Sequence, residues 1–254
     1  MVSQNDSNQP PRQKKPTSGM PSKADIEGVQ ESLNTEYRAL FDQAIALGKA
    51  GNLQGAAELS RRAIRASEAK GGTHEASVIL TFLPALYPGA PLTEFRKTAY
   101  RAVELLEGRA HCELLVSHAR FYTMHVELRS EQKPAALREA EACVIAGKSS
   151  ETHGRWLATA WRYYGMLLSL NGRMPEALLA ISNAIDLSKS KPVDDPLSLA
   201  RSYDAMGRTL LEMKQTDKGL SCLRKALTEF EKQGQGESRQ ATEIKWALRN
   251  ANPV

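Results

Sequence analysis

The chain is poor in the residues and runs that most often announce a function. Aromatic residues make up only 6% of its 254 positions. Its three cysteines, Cys112, Cys143 and Cys222, lie far apart, odd in number and without a CxxC or Cys/His zinc spacing. That pattern excludes a disulfide framework or a zinc module and leaves buried, reduced thiols on helices. No run of about 18 or more apolar residues is present, which excludes a transmembrane helix. The N-terminus, "MVSQNDSNQPPRQKKP", lacks the apolar stretch of a secretory signal. A cytoplasmic location is therefore the expectation.

The chemistry of known catalytic motifs is missing as well. There is no HExxH, GxGxxG or GxSxG and no acid pair at a useful spacing, so no enzymatic activity and no cofactor are expected. "GKSS" (147–150) ends like a phosphate-binding loop, but Ala142 stands where that loop needs glycine, and the preceding pattern is helical rather than strand-like. His111, His118 and His125 recur every seven residues in what reads as one helix. Neighbours are then roughly 10 Å apart, too far to share a metal whose ligands sit near 2 Å, so no metal site is expected. The net charge of +5 favours acidic partners. Its lysines and arginines are interleaved with acids, and the densest spots, "RRAIR" (61–65) and "RK" (96–97), read as solvated helix faces.

What is present is helical periodicity, almost throughout. Residues 1–23 are rich in Gln, Asn, Ser, Pro and Lys and have little to bury, which predicts a disordered tail. From residue 24 onwards an apolar rhythm begins with Ile26, Val29, Leu33, Tyr37 and Leu40 on one helical face, the helix starting between 24 and 35. The breaks that follow are short. "AKGG" (69–72) supplies glycines for a left-handed cap and "YPGAP" (87–91) a turn. "KSSET" (148–152) offers N-caps. "KPVDDP" (191–196) offers Asp195 as a cap and Pro196 as a first helical residue. No strand-like alternation occurs between these breaks, so the expected fold is all-α.

The helices repeat. "AGNLQGAAELSRRAI" (50–64), "NGRMPEALLAISNAI" (171–185) and "MKQTDKGLSCLRKAL" (213–227) align, with Ala56, Ala177 and Gly219 in one column and Ala63, Ala184 and Ala226 in another. The helices before them align too: Leu40, Gln43, Ala44 and Leu47 with Trp161, Tyr164, Gly165 and Leu168, and with Tyr203, Met206, Gly207 and Leu210. Trp161-x2-Tyr164-Gly165-x2-Leu168 followed by Ala177-x3-Ile181 resembles the signature of the tetratricopeptide repeat (TPR). The two best copies are 42 residues apart (Gly165 to Gly207), against about 34 in the standard repeat. In this they are similar to the longer repeats of kinesin light chains and of bacterial peptide-sensing regulators. Small residues at Gly165, Ala177 and Ala184 mark where helices approach closely. Residues 73–108 give a degenerate hairpin whose first helix is interrupted or kinked at Pro84. Residues 109–147 give another, with Ala119, Tyr122, Val126, Ala136 and Cys143 facing inward. Residues 236–250 carry Ala241, Ile244 and Leu248 on one stripe and read as a cap.

The resemblance implies a right-handed α-solenoid over 24–254, built of five TPR-like hairpins and a C-terminal capping helix. It implies a non-catalytic adaptor, scaffold or co-regulator that holds a peptide or helix of a partner protein in a concave groove. The first helix of each hairpin would line that groove. Counting outward positions on those helices selects Arg120 and Met124 in the third hairpin. It selects Arg162, Met166 and Leu170 in the fourth, and Arg201, Asp204, Arg208 and Leu211 in the fifth. Arginine forks suit carboxylates, so the expected partner is a protein offering an acidic or amphipathic segment, although Glu127 and Asp204 interrupt the basic row. Neither a membrane nor a nucleic acid is expected as partner. A sensor of a small peptide or metabolite in the same groove is the alternative, and a nucleic-acid-associated regulator the weaker one. The Lys/Asn clamp with which some TPR domains hold chaperone C-termini is absent, since Phe41 and Ile45 stand in its first-hairpin places.

Overall fold

The computed structural model describes residues 35–149, 155–190 and 196–250. Within them eleven helices follow one another: α1 (Thr35–Lys49), α2 (Leu53–Glu68), α3 (Gly72–Leu86), α4 (Leu92–Leu106), α5 (Glu113–Arg129), α6 (Lys133–Ser149), α7 (Arg155–Leu170), α8 (Met174–Ser190), α9 (Ser198–Glu212), α10 (Thr216–Lys232) and α11 (Arg239–Asn250). No strand occurs among the described residues, and none of their helices is long and apolar enough to cross a membrane. Each helix packs on its sequence neighbours. The first helices of successive hairpins also touch, α1 with α3, α3 with α5 and α7 with α9. The result is a solenoid of five hairpins in which α11 covers α10, its Ala241 and Ile244 buried against Phe230 and Ala226. The expected tail (1–23), the start of the first helix before 35, and the caps expected at 150–152 and at Asp195 lie outside the described residues.

Four of the five hairpins share one turn. The last turn of the first helix closes with a backbone bond spanning five residues: Asn52 N–H to Leu47 O, Gln132 to Glu127, Arg173 to Leu168 and Gln215 to Leu210, each 2.9 Å. The residue before each donor is left-handed: Gly51 (φ 81°), Glu131 (60°), Gly172 (76°) and Lys214 (59°). This is the Schellman end of a helix, which satisfies carbonyls that the helix itself cannot. The second hairpin turns differently, at Tyr87–Pro91. Gly89 there abuts the start of α2, and a Cβ on it would fall 2.1 Å from Leu53 O.

The shared turn sets a common frame. It puts Ala44, Met124, Gly165 and Gly207 at one place on the first helices, facing Ser60, Ala140, Ile181 and Leu223 on the second. Sizes complement one another across the gap. A Cβ on Gly165 would lie 2.5 Å from Ile181 Cγ1 and 3.0 Å from Ala177 O, and one on Gly207 2.8 Å from Leu223 Cδ2. In the third hairpin the pair is reversed, with Met124 large and Ala140 small, both in one core cluster. Ala119, Tyr122 and Val126 are buried as expected, against the second hairpin. Phe121 and Met124 are buried too, against the fourth. The helix α5 is therefore enclosed from several sides at once.

Other sequence expectations shift locally. Pro84 does not interrupt α3, which runs on to Leu86 with Tyr87 N–H still bonding Leu83 O at 3.0 Å. Pro196 is not the first residue of α9, which starts at Ser198 with Leu197 before it. His111 is not on the helix of His118 and His125. It is exposed, with φ 60°, in the turn ahead of α5.

Polar groups buried by this packing are mostly matched. Glu75 receives Arg101 Nε (3.1 Å), and Glu127 receives Arg96 Nη2 (2.8 Å) and the Tyr100 hydroxyl (2.9 Å). Ser117 Oγ donates to Cys143 O (2.8 Å) and accepts from Trp156 Nε1 (3.0 Å), tying α5, α6 and α7 together. Burial pushes the Cys143 thiol up to about 12, so it is a packing residue and not a nucleophile. Between α5 and α7 the contact is aromatic: Phe121, His118, His125, Trp156 and Tyr163 meet edge to face, with centroids 4.1–5.2 Å apart.

Two predictions follow from this packing. Gly165→Ala gains helix propensity of about 1 kcal/mol but meets an overpacked site costing typically about 1–3 kcal/mol. Its urea midpoint is expected to fall, whereas Gly48→Ala, with nothing within 4 Å of the new Cβ, raises it. Burial lowers His118 to about 4, and burial with the nearby Arg162 charge lowers His125 to about 3. The unfolded chain binds these protons near pH 6.5 while the folded one does not. Stability is thus full above 6.5 and is lost as pH falls towards 3–4, by up to about 1.4 kcal/mol per pH unit for each histidine. Urea midpoints measured from pH 7 to 4 should show that slope. His125→Met, which copies the residue of the next hairpin at that position, should remove its share.

Candidate partner-binding groove

The first helices α7 and α9 carry most of the side chains expected to line a groove, two of them exposed and apolar; Ile145, Leu179 and Trp246 are exposed apolar groups on other helices. Along α7, Arg162, Met166 and Leu170 recur every four residues and so share a face. Met166 and Leu170 are 38% and 48% exposed, which is high for large apolar groups. Along α9, Arg201, Asp204 and Arg208 form the parallel row. The cap α11 adds Gln240 and Glu243, which sequence reasoning did not select. Arg201 Nε donates to Gln240 Oε1 (3.4 Å), and Arg208 Nη2 lies 3.9 Å from Glu243 Oε2. These contacts bring the cap beside the row on α9.

The six groove residues expected from sequence divide. Met166 and Arg208 are exposed and Arg201 is half-buried. Arg208 is not free, since its Nε donates to Asp204 Oδ1 at 2.7 Å. Arg120 is committed to the fold: its two Nη atoms reach Glu139 (2.9 Å) and Glu107 (2.6 Å), clamping α5 to α6 and to the end of α4. Met124 corrects the expectation outright. It is 1% exposed because it occupies the helix–helix contact position of the third hairpin, where Gly165 and Gly207 stand in the next two. Counting from Ala119 and Tyr122 placed the third helix out of register with the frame set by the turns. Among the exposed places expected beside these, Leu211 is half-buried, packed where a Cβ on Gly219 would strike it.

Arg162 is only 8% exposed. The turn frame explains why: its position is held by Phe41 in the first hairpin, Phe121 in the third and Asp204 in the fifth. Two phenylalanines, an arginine and an aspartate in one column are the sequence signal that this site differs between repeats. Asp204 is itself largely enclosed, and burial holds its carboxyl above the usual range against the pull of Arg208. Among the described residues no group of three or more His, Cys, Asp or Glu is placed to hold a metal ion.

No protein-family model and no curated protein sequence matches the chain. Solved structures do. One is a Podosopora anserina protein with nearly identical, kinesin-light-chain TPR-like repeats, 12% identical, with 78% of this chain and 96% of that one covered at a TM-score of 0.65. RapI in its apo form is 13% identical, with 84% and 81% covered at 0.68. YrrB, a TPR protein with an unusual peptide-binding site, is 17% identical, with 88% and 98% covered at 0.51. Repeated hairpins, a shared turn, small residues at the crossing points and this likeness agree: in fold, the chain is a solenoid of TPR-like helical hairpins.

Proposed function

We propose that the protein is a non-catalytic interaction module, an adaptor, scaffold or co-regulator, that holds a segment of a partner protein on the first helices of its fourth and fifth hairpins. The observation that carries this reading is the pair Met166 and Leu170. They lie exposed on one stripe of α7, flanked by the charged row of α9 and α11. Apolar area rimmed by charge is what a specific protein contact needs, the apolar part for affinity and the rim for register. A solenoid presents such a stripe continuously, because each hairpin adds one helix to the same surface. YrrB shares the fold and has a peptide-binding site, which supports a peptide or helix as occupant. An acidic or amphipathic segment would complement Arg162, Arg201 and Arg208.

The test is affinity capture from a lysate with the immobilised protein, with bound proteins identified by mass spectrometry and the leading partner then titrated in purified form. Met166→Asp with Leu170→Asp changes two exposed side chains and should leave the far-UV circular dichroism unchanged. Replacing central apolar contacts of an interface costs about 2 kcal/mol or more, so affinity for that partner should drop by about thirtyfold or more. A partner that binds both proteins equally would place the interface elsewhere.

A further inference from the structure

Arg162 stands apart from the other buried charges. Glu75 and Glu127 each meet an opposite charge within 3.1 Å. The Arg162 Nε is buried with no acceptor, and Nη1 has only the thioether sulfur of Met166 at 4.0 Å. A thioether is a weak acceptor. The Tyr163 ring, 4.5 Å from Cζ, offers its face and no lone pair. Asp204 is close enough for its charge to be felt, but its Oδ1 is engaged by Arg208 and it forms no ion pair with Arg162. His125 is close enough to feel the Arg162 charge; its Nε2 is also unpartnered, and burial keeps it neutral.

A guanidinium enclosed without its acceptors weakens the fold. Nor does the fold require a charge at this position, since Phe41 and Phe121 fill it elsewhere. A charge in a column that two other hairpins fill with phenylalanine, left without compensation inside the chain, points to something outside it. Arg162 shares a helix face with Met166 and Leu170, its Nη1 beside the Met166 sulfur, and each step along that face rises about 6 Å.

Resting on the groove reading above, we infer that Arg162 is the receptor for one carboxylate side chain of the bound partner segment, with two apolar groups following it at about 6 Å intervals over Met166 and Leu170. In a helical partner that is an Asp or Glu followed by apolar residues one and two turns on. In an extended one it is an acid followed by alternate apolar residues. The bidentate fork of arginine matches a carboxylate in a way a lysine would not. Arg120, Arg201 and Arg208 do not share this role, because each already has a partner within the chain.

A random sixteen-residue peptide library displayed on phage, selected on the purified protein, tests this. The expected result is enrichment of an acidic residue at that fixed spacing before apolar ones. A synthetic peptide of the consensus should lose about thirtyfold or more in affinity when its acid is changed to the amide. The same change should have no effect against Arg162→Gln, while against the exposed-surface control Arg62→Gln the loss should be full. Peptides selected without an acid, or whose acid matters equally to wild type and Arg162→Gln, overturn the carboxylate inference and leave the groove reading standing. No enrichment at all overturns both. Dimerisation that is lost in Arg162→Gln would assign the carboxylate to a second copy of this chain and overturn the inference of a separate partner. Thermal unfolding of the ligand-free protein gives an independent reading. Arg162→Met should raise the melting temperature if the charge is uncompensated, and a lower one would make Arg162 a partner of Asp204 and overturn the inference.

Discussion

The structure depends on how closely two antiparallel helices can approach. At the crossing points of the third, fourth and fifth hairpins one side is small where the other is large, and at the two glycines a single Cβ would collide with the partner helix. Gly165 against Ile181, and Gly207 against Leu223, meet this with glycine on the first helix. Met124 against Ala140 meets it with the sizes exchanged. Stacking then follows, because a hairpin closed this tightly still has apolar faces that only the next hairpin can cover. In four of the five hairpins a shared turn before the second helix holds the register of the crossing. It is kept even where a residue other than glycine, Glu131 or Lys214, must adopt the left-handed conformation.

The hairpins are not interchangeable, and the differences fall at particular places. Between α5 and α7 a set of rings takes up the space, with the two buried histidines among them. The first three hairpins are cross-linked by charge: Arg61 with Glu94 from α2 to α4, Arg96 with Glu127 from α4 to α5, and Arg120 with Glu139 from α5 to α6. These pairs occupy Arg61, Arg96 and Arg120 within the chain. In the fourth and fifth hairpins polar character moves to the first helices, where exposed apolar groups lie beside it.

Much of this architecture is legible in the sequence. The small residues at 165, 177 and 184 and their copies at 207, 219 and 226 identify the hairpins, because steric contact between helices tolerates few residue types. The cap is legible for the same reason, as Ala241 and Ile244 lie on one apolar stripe of a helix that is otherwise polar. The third hairpin is not legible in the same way. Its contact position holds Met124, and its compensation, Ala140, sits on another helix, so no local pattern marks it. The groove suffers in proportion. Arg120 looks like a solvent-facing arginine by spacing, and only the positions of Glu139 and Glu107, 19 residues after and 13 residues before it, show that it is spent on the fold. Periodicity reports which face a residue is on and says nothing of what the neighbouring element brings to meet it.

The same limit explains why Arg162 is the informative residue. By spacing it belongs with Arg120, Arg201 and Arg208 as one member of a basic row. By environment it is the opposite of the others: they are more exposed and paired, and it is enclosed and unpaired. In water a guanidinium's worth as an anion receptor is small, because solvent competes for every donor. Enclosed by Tyr163, Met166 and the next first helix, its field is less screened. A sequence that places a charge where its first and third hairpins place phenylalanine gives up packing at that point. What it gains is a preorganised cation beside an exposed apolar stripe, the arrangement on which the proposed carboxylate contact rests.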